Sequence, residues 1–194
     1  MSQGYWDHIE PFWQFVSIYD GPEEFLLHFT ETPEHAAHLF ALHWCASEVC
    51  NGGFHQFFFN STGVLAPEAV AGFRAIGMPR TAAVVVAAMA SFGEPYPRDC
   101  EERQDALDAL DTGGGGDEDE DEDEDEDKDE DKDEDEDWVS PFKDLDNRFY
   151  DLLGRENGGM ERAAERYAAR FPIPEGPLQG IGLLNRLMAA LNTR

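Results

Sequence analysis

Apolar residues recur along most of this chain at the three- and four-residue spacing of an amphipathic helix. The clearest stripe consists of Leu39, Leu42, Ala46 and Val49. No segment alternates apolar and polar residues over the length of a strand, so strands are not indicated. The pattern predicts an all-α fold with helices at residues 23–29, 33–49, 67–76, 79–89, 101–110, 142–152, 160–171 and 178–191.

Two of these helices carry more specific predictions. Thr32 precedes Pro33 and should cap the helix that follows, because a threonine side chain can accept from the free backbone N–H groups of a first turn. Val84, Val85 and Val86 make the helix at 79–89 apolar on most sides. We therefore expect that helix to be the buried centre of a helical bundle.

Two adjacent glycines, Gly52 and Gly53, interrupt the stripe that ends at residue 49. Glycine reaches positive φ angles and permits close backbone approach, so the chain should bend here. Phe54, Phe57 and Phe58 follow at i, i+3 and i+4, and a short helix would bury all three on one face. The helix should end between residues 60 and 63.

Three amides, Asn51, Gln56 and Asn60, flank these aromatic residues. Amides beside buried rings usually satisfy backbone groups that a turn has freed, and we expect that role here. The alternative is a ligand pocket lined by His55 and Gln56, which would suit an enzyme or a metal-binding protein.

A glycine-rich and acidic segment, residues 112–137, lacks the apolar residues needed for a core. The 57 residues after it would be marginal as a separate domain. We therefore predict one single-domain helical bundle, built from residues 1–111 and 138–194, with a disordered acidic insertion. Fully extended, the acidic run would carry one charge per roughly 3.3 to 3.6 Å, near the roughly 3.4 Å of one DNA strand.

Negative charge dominates the chain, whose formal net charge is -28. Residues 117–137 hold 19 acids and two lysines, but the remainder is also acidic, and no lysine or arginine precedes Arg74. Such a field opposes direct binding to nucleic acid or to an anionic membrane and favours basic partners. The alternative is a protein-interaction scaffold whose acidic loop only maintains solubility.

The remaining chemistry indicates a protein without catalysis. Three cysteines without a Cys-x-x-Cys pair are typical of a reduced compartment, and a signal peptide and a long apolar span are both lacking, so we expect a cytoplasmic location. No nucleophile elbow, zinc-ligand spacing or phosphate loop occurs. We expect no catalytic residue, no metal and no cofactor. The aromatic N-terminus and the stripe at 178–191 are compatible with a homodimer.

The residues around the glycine pair read Glu-Val-x-Asn-Gly-Gly-Phe-x-Gln-Phe-Phe-x-Asn, which resembles the signature of the DNA-mimic protein 19-like family. Ile76-Gly77 and the segment at 145–150 extend the resemblance over about residues 32–172, with the acidic insertion as its main departure. The resemblance implies an all-helical fold without known catalysis, whose namesake imitates DNA to occupy a DNA-binding protein. We interpret the motif residues as structural: Glu48, Asn51, Gly52, Gly53, Phe54, Gln56, Phe57, Phe58 and Asn60.

The resulting hypothesis is an acidic DNA mimic that occupies the DNA-binding surface of a basic protein such as a transcription regulator. Its candidate partner-binding acids in the helical body are Glu23, Glu24, Glu31, Glu34 and Glu48. Those in the insertion are Asp117, Glu118, Asp119, Glu120, Asp121, Glu122, Asp123, Glu124, Asp125, Glu126 and Asp127.

Overall fold

The computed structural model of the protein describes residues 4–112 and 139–177, and these residues form helices and turns without a strand. The predicted all-α fold is confirmed. The acidic run at 117–137 and the helix predicted at 178–191 lie outside the described residues. The helices are α1 (Trp6–Ile9), α2 (Pro22–Glu31), α3 (Glu34–Phe59), α4 (Ala66–Ala75), α5 (Pro79–Met89), α6 (Cys100–Thr112), α7 (Lys143–Arg155) and α8 (Met160–Ala168).

The centre of the fold is α3, and the prediction that α5 would be central is wrong. Helix α3 packs against α1, α2, α4, α6, α7 and α8. Helix α5 buries Val84, Val85 and Ala88, whereas Val86 on its other side is 43% exposed. Helix α5 is apolar in composition because it consists largely of alanine and valine. Only one of its faces, however, contacts the core.

One apolar core joins residues from both described parts of the chain. Phe54 of α3 lies 5.2 Å from Phe149 of α7, and Phe58 lies 5.6 Å from Phe142, measured between ring centroids. Each of these four rings is at least 98% buried. The segments before residue 113 and after residue 138 therefore share one core.

The start of α3 differs from the prediction in its capping. Pro33 occupies the N-cap position, and no side chain caps the helix. The Thr32 hydroxyl instead donates to the carbonyl oxygen of His28 at 3.0 Å. Thr32 thus satisfies a carbonyl oxygen in the last turn of α2 and does not cap α3.

Candidate functional site

The predicted bend is present as a kink inside α3. Gly52 has φ -154° and ψ 26°, and Gly53 has φ 72° and ψ -177°, so both leave the helical region. A Cβ atom at Gly53 would lie 2.8 Å from Oδ2 of Asp146. The positive φ and the close carboxylate together require glycine at position 53.

A carboxylate from α7 closes this kink. The backbone N–H of Phe54, which the kink frees from helical bonding, donates to Oδ1 of Asp146 at 2.7 Å. Burial raises the pKa of Asp146, and the bond from Phe54 partly offsets that effect. Asp146 therefore fixes the bend from a position 92 residues later in the chain.

Replacing Asp146 by alanine is expected to lower the free energy of unfolding by about 2 kcal/mol, because a buried N–H group loses its acceptor. Asp146→Asn should lose less, since its amide oxygen can still accept from Phe54. Asp144→Ala, at an exposed position of the same helix, serves as the control. Urea denaturation of the three variants measures the difference, and equal stability of the alanine variants would contradict the expected role.

The aromatic residues after the kink are buried as predicted. Phe54, Phe57 and Phe58 are all fully buried, while Phe59 is 45% exposed. The helix ends at Phe59, and Asn60 is extended. The kink thus rotates the last turns of α3 so that three rings enter the core.

The amides have a different partner from the predicted one. The side-chain amides of Gln56 and Asn60 donate to the same oxygen of Glu48, at 3.1 and 2.9 Å. They therefore bind a carboxylate from the preceding part of α3 rather than backbone groups. Glu48 is half-buried and spans the kink, while Asn51 is exposed.

The end of α3 also holds α6, through an arginine that sequence reasoning missed. Arg103 is fully buried. Its guanidinium donates to the carbonyl oxygens of Phe58 and Asn60, both at 2.9 Å, and to those of Arg98 and Asp99. A Cβ atom at Gly63 would lie 2.5 Å from Nε of Arg103, so this glycine leaves the space that the arginine occupies.

Further bonds fasten α6 along its length. The Gln104 amide donates to the carbonyl oxygen of Phe59 at 3.0 Å. Nearer the end of the helix, Nε2 of His55 lies 3.1 Å from Oδ2 of Asp111. The second half of the motif therefore sets the position and the orientation of α6.

The outer face of α6 carries four exposed acids, which we call the acidic row: Glu101, Glu102, Asp105 and Asp108. At 100° per residue, they fall within an arc of about 120°, opposite Arg103 and Leu107. Their seven-residue interval spans roughly 10.5 Å of helix axis, or about one carboxylate per 3.5 Å. One strand of B-DNA presents a charge about every 3.4 Å.

The candidate partner-binding acids predicted from the sequence do not belong to the acidic row. Glu23 and Glu31 are exposed on α2, and Glu34 is exposed at the start of α3. Glu24 lies 3.3 Å from His28, and Glu48 is engaged by the two amides. The candidates from Asp117 to Asp127 lie outside the described residues. A helical-wheel projection of residues 100–112 would have revealed the acidic row.

A cavity of about 660 Å³ opens beside α3, but His55 does not line it. Its walls include Tyr5, His43, Cys50 and Tyr150, and the Tyr5 hydroxyl lies 3.0 Å from Nδ1 of His43. Burial lowers the pKa of His43 and raises that of Cys50. His55 instead contacts Asp111, so the polar groups of this cavity differ from those of the predicted pocket.

The described residues also bear on metal binding and on membrane insertion. No group of three or more histidine, cysteine, aspartate or glutamate side chains is placed to hold a metal ion within residues 4–112 and 139–177. No helix in those same ranges is long and apolar enough to cross a membrane.

Comparison with known proteins identifies a family over most of the chain. The family model described as DMP19-like protein matches residues 30–170. No curated protein and no solved structure shows significant similarity to the chain. The match includes the kink, the residues that anchor α6 and the acidic row. The chain therefore belongs to the DMP19-like protein family.

Proposed function

We propose that this protein is a non-enzymatic DNA mimic, which occupies the DNA-binding surface of a basic protein such as a transcription regulator. The observation that carries the proposal is the acidic row on α6, whose axial charge spacing is close to that of a DNA strand. A surface that binds phosphates with lysine and arginine would meet carboxylates at a similar mean spacing along the helix axis.

The fixed position of α6 supports specific recognition. A flexible acidic chain loses on the order of 1 kcal/mol for each residue that becomes ordered on binding. The acidic row avoids that loss, because the bonds of Arg103 and Gln104 already hold its helix to the core. The carboxylates are thus presented in one arrangement before a partner arrives.

The charge balance of α6 adds to this effect. The only basic residue in the helix is Arg103, which is buried against carbonyl oxygens on the opposite face. The basic side chain of this helix therefore points away from the face that carries the acidic row. The acidic run at 117–137 follows α6 after four glycines in the sequence and would speed the approach of a basic partner by long-range attraction.

The proposal predicts a selective loss of partner binding when the acidic row is neutralised. Glu101→Gln with Asp105→Asn should weaken binding by at least about tenfold near 0.1 M salt, because two phosphate-like contacts are lost. The dependence of log affinity on log salt should become shallower by about two. Glu161→Gln with Glu165→Gln removes the same charge from an i, i+4 pair exposed on α8 and should change binding little.

The partner is obtained by affinity capture from nuclease-treated lysate, with intact protein and with a form lacking residues 117–137. A DNA-binding protein retained by both forms, and displaced by duplex DNA, would support the proposal. Capture only by the intact form, of assorted basic proteins that all dissociate as salt rises, would contradict it. Equal effects of the α6 and α8 double variants would also contradict the assignment to the acidic row.

A further inference from the structure

Three imidazoles meet where α1, the first turns of α3 and the end of α8 converge. The ring of His8 lies edge-on to that of His35, with centroids 5.4 Å apart. His35 stacks on Phe171 at 4.5 Å, and Nδ1 of His38 lies 3.0 Å from the Tyr167 hydroxyl. We call His8, His35 and His38 the histidine cluster.

Two ring nitrogens of the cluster lack a partner for an added proton. His8 is 3% exposed. Its Nδ1 and the Nε2 of His35 are buried without a hydrogen-bond partner among the described residues. A protonated imidazole donates from both nitrogens, so protonation here would create a buried donor without an acceptor.

Few charged groups surround the cluster to compensate for such a proton. Asp7 adjoins His8 on α1, and Glu34 stands near His38 at the start of α3. From the end of α8, Arg170 lies over the rings of Tyr167 and Phe171 and adds a positive charge.

Two further histidines face other parts of the N-terminal residues. His28 of α2, paired with Glu24, packs on Phe15 at 4.5 Å. His43 of α3 contacts Trp6 at 5.2 Å and hydrogen-bonds Tyr5. Any test of the cluster must therefore separate its effect from theirs.

We propose that protonation of the histidine cluster controls the attachment of residues 4–19 to α3. These residues are attached at neutral pH and are released as the pH falls towards 5. Those residues bury Ile9, Phe12, Val16 and Ile18 against the core. Their release would expose these four side chains and the core residues that they contact. The acidic row lies on α6 and takes no part in this pH response.

The direction of the effect follows from the environment of the rings. Burial lowers the pKa of each of the three histidines, and the pKa of His35 is lowered further by His8 and His38. On release, His8 regains an ordinary pKa near 6.5, and His35 loses the neighbouring ring of His8. As the pH falls through 6.5, the released form therefore takes up more protons than the form in which residues 4–19 are attached to α3. The equilibrium then moves towards release. Most carboxylates stay ionised between pH 7 and 5, so histidines dominate this range.

Hydrogen exchange of the full chain at pH 7.5 and pH 5.0, corrected for intrinsic rates, tests the proposal. Exchange protection of α1 should fall by about tenfold between the two pH values. Protection of α4 and α5 should change much less. Fluorescence of Trp6, Trp13 and Trp44, which lie in or against the released segment, should shift over the same pH range.

Variants assign the response to particular rings. His8→Phe with His35→Phe should remove most of the pH dependence. The single His35→Phe change should reduce it, and it provides the test if the double variant folds poorly. His55→Gln, outside the cluster, should leave it intact. Unchanged α1 protection at pH 5.0 in the unaltered protein would overturn the proposal, as would equal loss in α1, α4 and α5. Loss of the response in His43→Gln, with retention in the cluster variants, would overturn it as well.

Discussion

Replacing Arg103 by methionine is expected to lower the free energy of unfolding by about 3 to 5 kcal/mol, the largest effect of any single change considered for this protein. Methionine fills a similar volume but donates no hydrogen bond. The carbonyl oxygens of Phe58, Asn60, Arg98 and Asp99 would lose their common donor. Because Arg103 is fully buried, water cannot replace the guanidinium without opening the contact between α6 and α3.

Chemical denaturation followed by circular dichroism measures this loss. Arg148→Met provides the control, since Arg148 is exposed on α7 and the change removes the same charge. The control should stay within about 0.5 kcal/mol of the original protein. If the two variants had equal stability, the carbonyl contacts of Arg103 would not contribute to the fold.

Gly53→Ala is expected to cost about 3 kcal/mol. The φ of 72° with a ψ of -177° is a conformation essentially restricted to glycine, and strain of this kind costs roughly 1 to 3 kcal/mol. The added Cβ atom would also lie 2.8 Å from Oδ2 of Asp146. It would therefore displace the carboxylate that accepts from the Phe54 N–H group, and that loss adds to the backbone strain.

A second glycine in the same chain supplies the matched control for this prediction. Gly154 lies inside α7, and a Cβ atom there would meet nothing within 4 Å. Gly154→Ala should leave stability unchanged or raise it by up to about 1 kcal/mol, because alanine favours the helix. Thermal unfolding of both variants gives the comparison, and a stable Gly53→Ala protein would show that the kink tolerates a side chain.

Local features of the sequence were sufficient to predict most of the described helices and the bend. The glycine pair and the i, i+3, i+4 spacing of Phe54, Phe57 and Phe58 are patterns of a few residues, so they can be recognised without knowledge of the distant contacts that fix the bend. The wrong choice of central helix has a physical reason. Alanine and valine make α5 apolar without requiring burial on every side, whereas the long α3 contacts six other helices.

The long-range contacts of the site could not be predicted in the same way. The bond from Phe54 to Asp146 joins residues 92 positions apart, and no local pattern indicates such a pairing. Arg103 stands among acids on a helix, where an exposed ion pair is the usual expectation for an arginine. Its burial depends on the space left by Gly63 and on the carbonyl groups at the end of α3.

The partition of α6 into a buried anchor and an exposed acidic row has a consequence for evolution. Arg103 and Leu107 attach the helix to the fold, while Glu101, Glu102, Asp105 and Asp108 point to solvent. Substitutions at the exposed positions can therefore alter the pattern of charge without disturbing the attachment. A lineage that keeps the anchor can therefore vary the charge at four surface positions while the helix stays attached to the core.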